Sequence, residues 1–419
     1  MQDLIRELRW RGLLHDVTPA LEVRLSKGPI SGYIGFDPTA SSLHVGSLVP
    51  VMLLAHLQRA GGTPIILVGG GTGMIGDPSG RSAERPLLTT EDIDRNAENL
   101  RKQLSQFLSF EGSNAARILN NADWLRSLSL VEFLRDTGKH FTIGMMLQKE
   151  SVRSRLEVGL SFTEFSYMLL QAYDFLHLHR TERCELQMGG SDQWGNITAG
   201  IDLVRRVDGA EVHALSAPLL TKASGAKFGK TEGGNVWLDP TSTSPYQFYQ
   251  FWINSDDQDV ETLLKRFTFL SESEVGDIMA THNQNPGLRE AQRILARDVT
   301  ARVHGKDVAE RVAHASGLAF APEGLDRVDA GTWEILAAEL PSWRAERTRF
   351  PMTVVDLLAE SGLASSKGEA RRQLKQGGIS INGSKVAGDG PVELDQLLAE
   401  RFLWLRRGKK TDVIVAVDS

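Results

Sequence analysis

A chain of 419 residues exceeds one ordinary domain, and 41% apolar with 24% charged residues is the composition of a globular protein with a sizeable core. A net charge of -6 argues against a protein that simply coats nucleic acid. One cysteine, Cys184, excludes an internal disulfide and disfavours a cysteine-built zinc site, and no stretch nears the roughly 20 apolar residues of a membrane span.

The chain starts MQDLIRELRW, which mixes charges of both signs and lacks a signal-like apolar run, so a reducing cytoplasm is the expected home. Residues 31–36 read as a strand, 48–57 as an apolar-rich helix and 63–68 as a buried strand. Further helical patterns lie at 100–107 and 165–175, and 214–220 is strand-like. This alternation predicts a parallel sheet covered on both faces. From about 246 to 315 the pattern is helical, and Pro322, Gly324, Gly331 and Pro341 mark a connecting region. The expected architecture is α/β. A Rossmann-like parallel-sheet domain occupies 1–230, a helical domain 231–320, a linker 321–351 and a small α+β domain 352–419.

Three segments carry chemistry. Strand 31–36 runs into Asp37-Pro-Thr-Ala-Ser-Ser-Leu-His44-Val-Gly46-Ser47 and then a helix, whose free N–H groups attract anions. His44 there can donate to a phosphate, and Gly46 lets a flat base approach the backbone; a plain helix cap with an incidental histidine is the rival reading. Gly71, Gly73 and Gly76 form a GxGxxG after a strand, which admits a dinucleotide-binding dehydrogenase. However, Asp77-Pro-Ser-Gly80 follows, turn chemistry where that class needs a helix. Lys222-Ala-Ser-Gly-Ala-Lys227-Phe-Gly-Lys230-Thr231 is either a solvated loop or a mobile one that closes over a leaving pyrophosphate. It is no Walker A motif.

His-x-Gly near the start, with Lys-Phe-Gly-Lys-Thr about 180 residues later, resembles the class I aminoacyl-tRNA synthetases. Phe36-Asp-Pro-Thr39, Ser161-Phe-Thr-Glu-Phe-Ser-Tyr167, Gln171-Ala-Tyr-Asp174 and Gly189-Gly-Ser-Asp-Gln-Trp-Gly-Asn196 are similar to the bacterial tyrosyl-tRNA synthetase family. The resemblance covers essentially the whole chain. It implies activation of L-tyrosine with ATP to tyrosyl-adenylate and pyrophosphate, then transfer to tRNA(Tyr), in a homodimer. Tyr33 and Asp174 would read the phenolic hydroxyl, and Asp77, Tyr167 and Gln171 the ammonium group. Gly35, Asp37, Gly46, Ser47, Gly190, Asp192 and Gln193 would surround ATP. Thr39, His44, Lys227, Lys230 and Thr231 would stabilise the departing phosphates. Magnesium would arrive with ATP rather than in a protein-built site. Ser47 departs from the family's second histidine, while Lys-Phe-Gly-Lys-Thr is common in the tyrosyl branch.

The piece 352–419 resembles a small RNA-binding domain named from a ribosomal protein. It holds 10 Lys/Arg and 9 Asp/Glu. Its clustered cations, Lys367, Arg371, Arg372 and Lys375, then Arg406, Arg407, Lys409 and Lys410, would track a phosphate backbone. A dimerisation appendage is the bland alternative for the tail, and a non-catalytic RNA-binding protein on a dead synthetase is the alternative for the chain. Joint retention of Asp77, Asp174, Asp192, Lys227 and Lys230 speaks against the latter.

Overall fold

The computed structural model describes all residues except 1–2, 80–88, 154–158, 222, 224, 226–227, 232–233, 321–323, 409–410 and 419. Five strands form a parallel sheet: β1 (Ser31–Phe36), β2 (Thr63–Val68), β3 (Arg117–Asn120), β4 (Cys184–Gly190) and β5 (His213–Ala217). Their order, β3-β2-β1-β4-β5, reverses direction between β1 and β4. In an open α/β sheet such a reversal leaves a crevice at the carboxyl ends of the two central strands. β5 is buried along its whole length and β2 at all but its first residue, as a sheet with helices on both faces requires.

The helices that position the crevice are fixed locally. Leu48–Arg59 buries nine consecutive or near-consecutive side chains from Leu48 to Leu57, which explains its almost unbroken apolar sequence. Phe162–Glu182 starts with a reciprocal cap, in which the Glu164 N–H donates to Ser161 Oγ and the Ser161 N–H to Glu164 Oε2. It ends where Arg183 turns left-handed, at φ 54°. Trp194–Asp208 follows β4 and stops at Gly209, φ 65°. The strand read at 214–220 ends at Ala217, because Pro218 has no N–H to donate to a ladder.

The chain forms two compact units, one reaching to Thr243 with Trp252–Leu295, the other combining Ser244–Phe251 with Ala296 onward. Helices Asp257–Phe267 and Glu272–Gln284 complete the first. In the second, Lys306–Phe320 and Ala330–Glu339 accompany a sheet ordered Ser384–Lys385, Ile379–Ile381, Phe402–Arg407, Thr411–Asp418, Ser342–Glu346. The stretch expected as a linker, 321–351, therefore contains a helix and a strand. Ser342–Glu346 runs parallel to Thr411–Asp418, with Ser342 opposite Ile414, and Trp333 is buried against Phe402 and Trp404. Its Gly and Pro content suggests a connector, but those buried aromatic contacts outweigh it. No helix among the described residues is long and apolar enough to cross a membrane.

Candidate active site

A cavity of about 380 Å³ occupies the crevice between β1 and β4. Its walls include every site residue expected from the sequence in the first 200 positions, fourteen in all, drawn from the ends of β1 and β4, the turn after β2 and the Phe162–Glu182 helix.

At the deep end stand Tyr33 and Asp174, 1% and 2% exposed. Asp174 accepts from Asn121 Nδ2 at 2.9 Å and from Trp124 Nε1 at 2.8 Å. Burial pushes its carboxyl up to about 7, against the pull of those two donors, and the charge of Asp37 adds to the rise. Tyr33 packs its ring on Phe175, centroids 5.4 Å apart, and its buried hydroxyl has no hydrogen-bonding partner among the described residues. Burial first, then the nearby Asp174, holds that phenol protonated well above its usual range. The site thus offers a dry O–H donor beside a carboxylate acceptor. Leaving such groups unpaired costs roughly 1–3 kcal/mol each, so they favour a ligand that supplies both partners.

Higher in the cavity, Tyr167 Oη and Thr72 Oγ1 both donate to Asp37, each at 3.1 Å. Asn121 links this network to Asp174, because its Nδ2 also reaches Thr72 Oγ1 at 3.0 Å. Asp77 accepts from Gln193 Nε2 at 2.7 Å and from the Ser79 N–H at 2.9 Å. Gln171 Oε1 is buried without a partner among the described residues. Burial, then the charge of Asp77, raises the Asp192 carboxyl.

Around the mouth, His44 caps the turn Val45–Ser47, its Nδ1 accepting from the Gly46 N–H at 3.0 Å. A Cβ on Gly46 would lie 2.8 Å from the imidazole, so this backbone is open only because the residue is glycine. Gly35, Thr39, Ser47 and Gly190 complete this wall. Of the lysine-rich segment, Phe228 packs on Trp252 and Phe267, and Gly229 lies against Val45 and Gly46. The Val45 N–H donates to Val236 O and the Val236 N–H to Gly229 O, which ties the His44 turn to the same segment. Backbone at Lys230–Thr231 pairs with Gly234–Asn235, while Lys227 lies outside the described residues.

The basic residues of the second unit divide. Lys367 is paired with Asp356, Arg406 with Asp412 and Arg407 with Glu369. Arg371, Arg372 and Lys375 are exposed on helix Lys367–Lys375. Lys409 and Lys410 lie outside the described residues.

Sequence reasoning missed Thr72, Asn121 and Trp124. A signal existed for Asn121, a polar residue directly after β3, on the carboxyl edge where such folds bind ligands.

The fold and this cavity are those of the class I synthetase type, and residues 25–321 match the family model described as tRNA synthetases class I (W and Y). Residues 333–415 match that of the tyrosine–tRNA ligase SYY-like C-terminal domain. A tyrosine–tRNA ligase of Anaeromyxobacter dehalogenans is 59% identical over 419 residues, covering 100% of each chain. One of Porphyromonas gingivalis is 48% identical, covering 99% of this chain and 100% of its own. Among solved structures, a C-terminally truncated Aspergillus nidulans mitochondrial tyrosyl-tRNA synthetase superposes with a TM-score of 0.69 at 32% identity, over 76% of this chain and 94% of its own. The chain belongs to the tyrosine–tRNA ligase family.

Because Asn121 and Trp124 hold the Asp174 carboxyl down against burial, removing either donor should raise it further above 7. Titration of labelled Asp174 by carboxyl NMR in Asn121→Ala and Trp124→Phe checks this, and an unchanged midpoint would mean that those donors do not govern its charge.

Proposed function

We propose that the cavity between β1 and β4 activates tyrosine and presents it to tRNA, with each wall reading one part of the substrates. The enzyme is a tyrosine–tRNA ligase. The observation that carries the assignment is the nearness of the Asp174 carboxyl to the unpartnered hydroxyl of Tyr33 at the buried end. A phenol O–H donates to Asp174 while its oxygen accepts from Tyr33. Phenylalanine satisfies neither. The indole of tryptophan, the other amino acid of the matched class, carries an N–H donor but no acceptor for Tyr33.

Asp77, Tyr167 and Gln171 take the substrate ammonium group, where a carboxylate and neutral oxygens are its natural partners. The tyrosine carboxylate then faces the α-phosphorus of ATP, which enters as its magnesium complex along Gly35, Asp37, Gly46, Ser47, Gly190, Asp192 and Gln193. In-line attack forms the mixed anhydride and expels pyrophosphate, with no covalent enzyme intermediate. Thr39, His44, Lys227, Lys230 and Thr231 stabilise the charge that develops on the leaving group. Packing of Gly229 on Val45 and Gly46 supports this, since it brings the lysine segment's backbone onto the turn that carries His44.

Arg371, Arg372 and Lys375 contact the tRNA backbone from the second unit. The exposed apolar side chains Leu130, Val131, Leu134, Ile143, Leu147 and Phe162 are the surface on which a second copy docks. The enzyme works in the cytoplasm, where Cys184 stays a thiol.

Tyr33→Phe should lower kcat/KM for tyrosine in pyrophosphate exchange about tenfold, the scale of one buried hydrogen bond, and narrow the preference over phenylalanine. An unchanged ratio of specificity constants would show that another group reads the phenol. Replacing Arg371, Arg372 and Lys375 together by Ala should leave that exchange intact while tRNA charging falls. The salt dependence of tRNA binding should become shallower by about one unit of slope per lost contact. Full charging by the triple variant would remove the helix from the tRNA surface.

A further inference from the structure

We infer that His177 is a positioning residue for phenol recognition, acting through the indole of Trp124. The imidazole and indole rings stack, with centroids 4.2 Å apart and planes 18° from parallel. The indole N–H is the group that donates to Asp174 Oδ1 at 2.8 Å. A hydrogen bond weakens steeply once its donor swings out of line, so the plane of the indole decides how well Asp174 is held.

Two features make His177 suited to fixing that plane. It lies three residues after Asp174 on the same helix, Phe162–Glu182, so carboxylate and stacking ring ride on one rigid element. Trp124, by contrast, comes from the four-residue helix Ala122–Leu125 after β3, a segment too short to hold its own conformation. The stack therefore ties a local helix to the one that carries Asp174. Tyr173 lies edgewise to Phe133 at 5.7 Å and 6.5 Å from His177, and backs the imidazole with a second ring. Burial, then the neighbouring charge of Arg180, lowers the imidazole's basicity, so it stacks as a neutral aromatic ring.

The inference rests on Asp174 as the reader of the phenol, and the test keeps the two separable. Steady-state exchange and melting temperature are measured for His177→Ala, His177→Leu, His177→Phe, Trp124→Phe, the Trp124→Phe/His177→Leu pair and Asp174→Asn. Loss of the stack should raise KM for tyrosine about two- to tenfold, the range an aromatic pair contributes beyond burial, with kcat little changed. His177→Phe should restore KM. His177→Leu, which fills similar space without a flat face, should not, and so carries the test if His177→Ala melts early. In the Trp124→Phe background, where no N–H remains to aim, His177→Leu should add nothing. Additive effects in that cycle, or a wild-type KM for His177→Leu, would overturn the inference. An unaltered tyrosine KM in Asp174→Asn would instead overturn the reading on which it stands.

Discussion

Everything in the catalytic unit is arranged around one costly object, a carboxylate held in a nearly dry pocket. Burying an ionised carboxyl without partners is prohibitive, and Asp174 responds as the physics requires, with its carboxyl lifted to about 7. Asn121 and Trp124 supply two donors and leave room for a third. The sign of the linkage follows. A carboxyl raised in the fold stabilises it most below the ordinary carboxylate range and loses that contribution as pH climbs through 7. Near neutrality the protein therefore carries strain at this buried carboxyl.

The sheet topology puts this group where it can matter. Reversal of strand order between β1 and β4 opens the crevice, and β1 delivers Tyr33 to its depth while its last residues lead to Asp37 and His44 at the mouth. The chain Asp174–Asn121–Thr72–Asp37–Tyr167 is continuous by hydrogen bonds. The deep end of the cavity and the turn after β1 are thus braced by one polar network rather than two. A cavity with a donor–acceptor pair at its base rejects a ligand that lacks the hydroxyl far more strongly than an apolar pocket could, and the magnitude of that effect is already known for this type of enzyme.

Strands 31–36 and 63–68 are legible in the sequence to the residue, because a buried parallel strand is a short apolar run closed by turn residues. Helix Phe162–Glu182 reads too short, at 165–175, since its ends are set by the Ser161–Glu164 cap and by Arg183 rather than by apolar spacing. The resemblance supplied the cavity's walls residue by residue, and one crevice gathers them. What it did not supply is their support. Asn121 and Trp124 reach Asp174 across about 50 residues of chain, and no local pattern records such a bond. Likewise, the whole basic cluster in the second unit reads as a nucleic-acid surface, yet Lys367, Arg406 and Arg407 are engaged by Asp356, Asp412 and Glu369. Ion pairing is a tertiary fact, and charge spacing alone does not show it.

Calorimetry of tyrosine binding, in buffers of differing ionisation heat between pH 6 and 8, tests the role of Asp174 most directly. If the phenol donates to the ionised carboxylate, binding at pH 7 releases about half a proton. Affinity then falls as pH drops below 7, because the carboxyl must first give up its proton, and both effects vanish in Asp174→Asn. Affinity that stays level across this range, or a proton release that survives in Asp174→Asn, would contradict it.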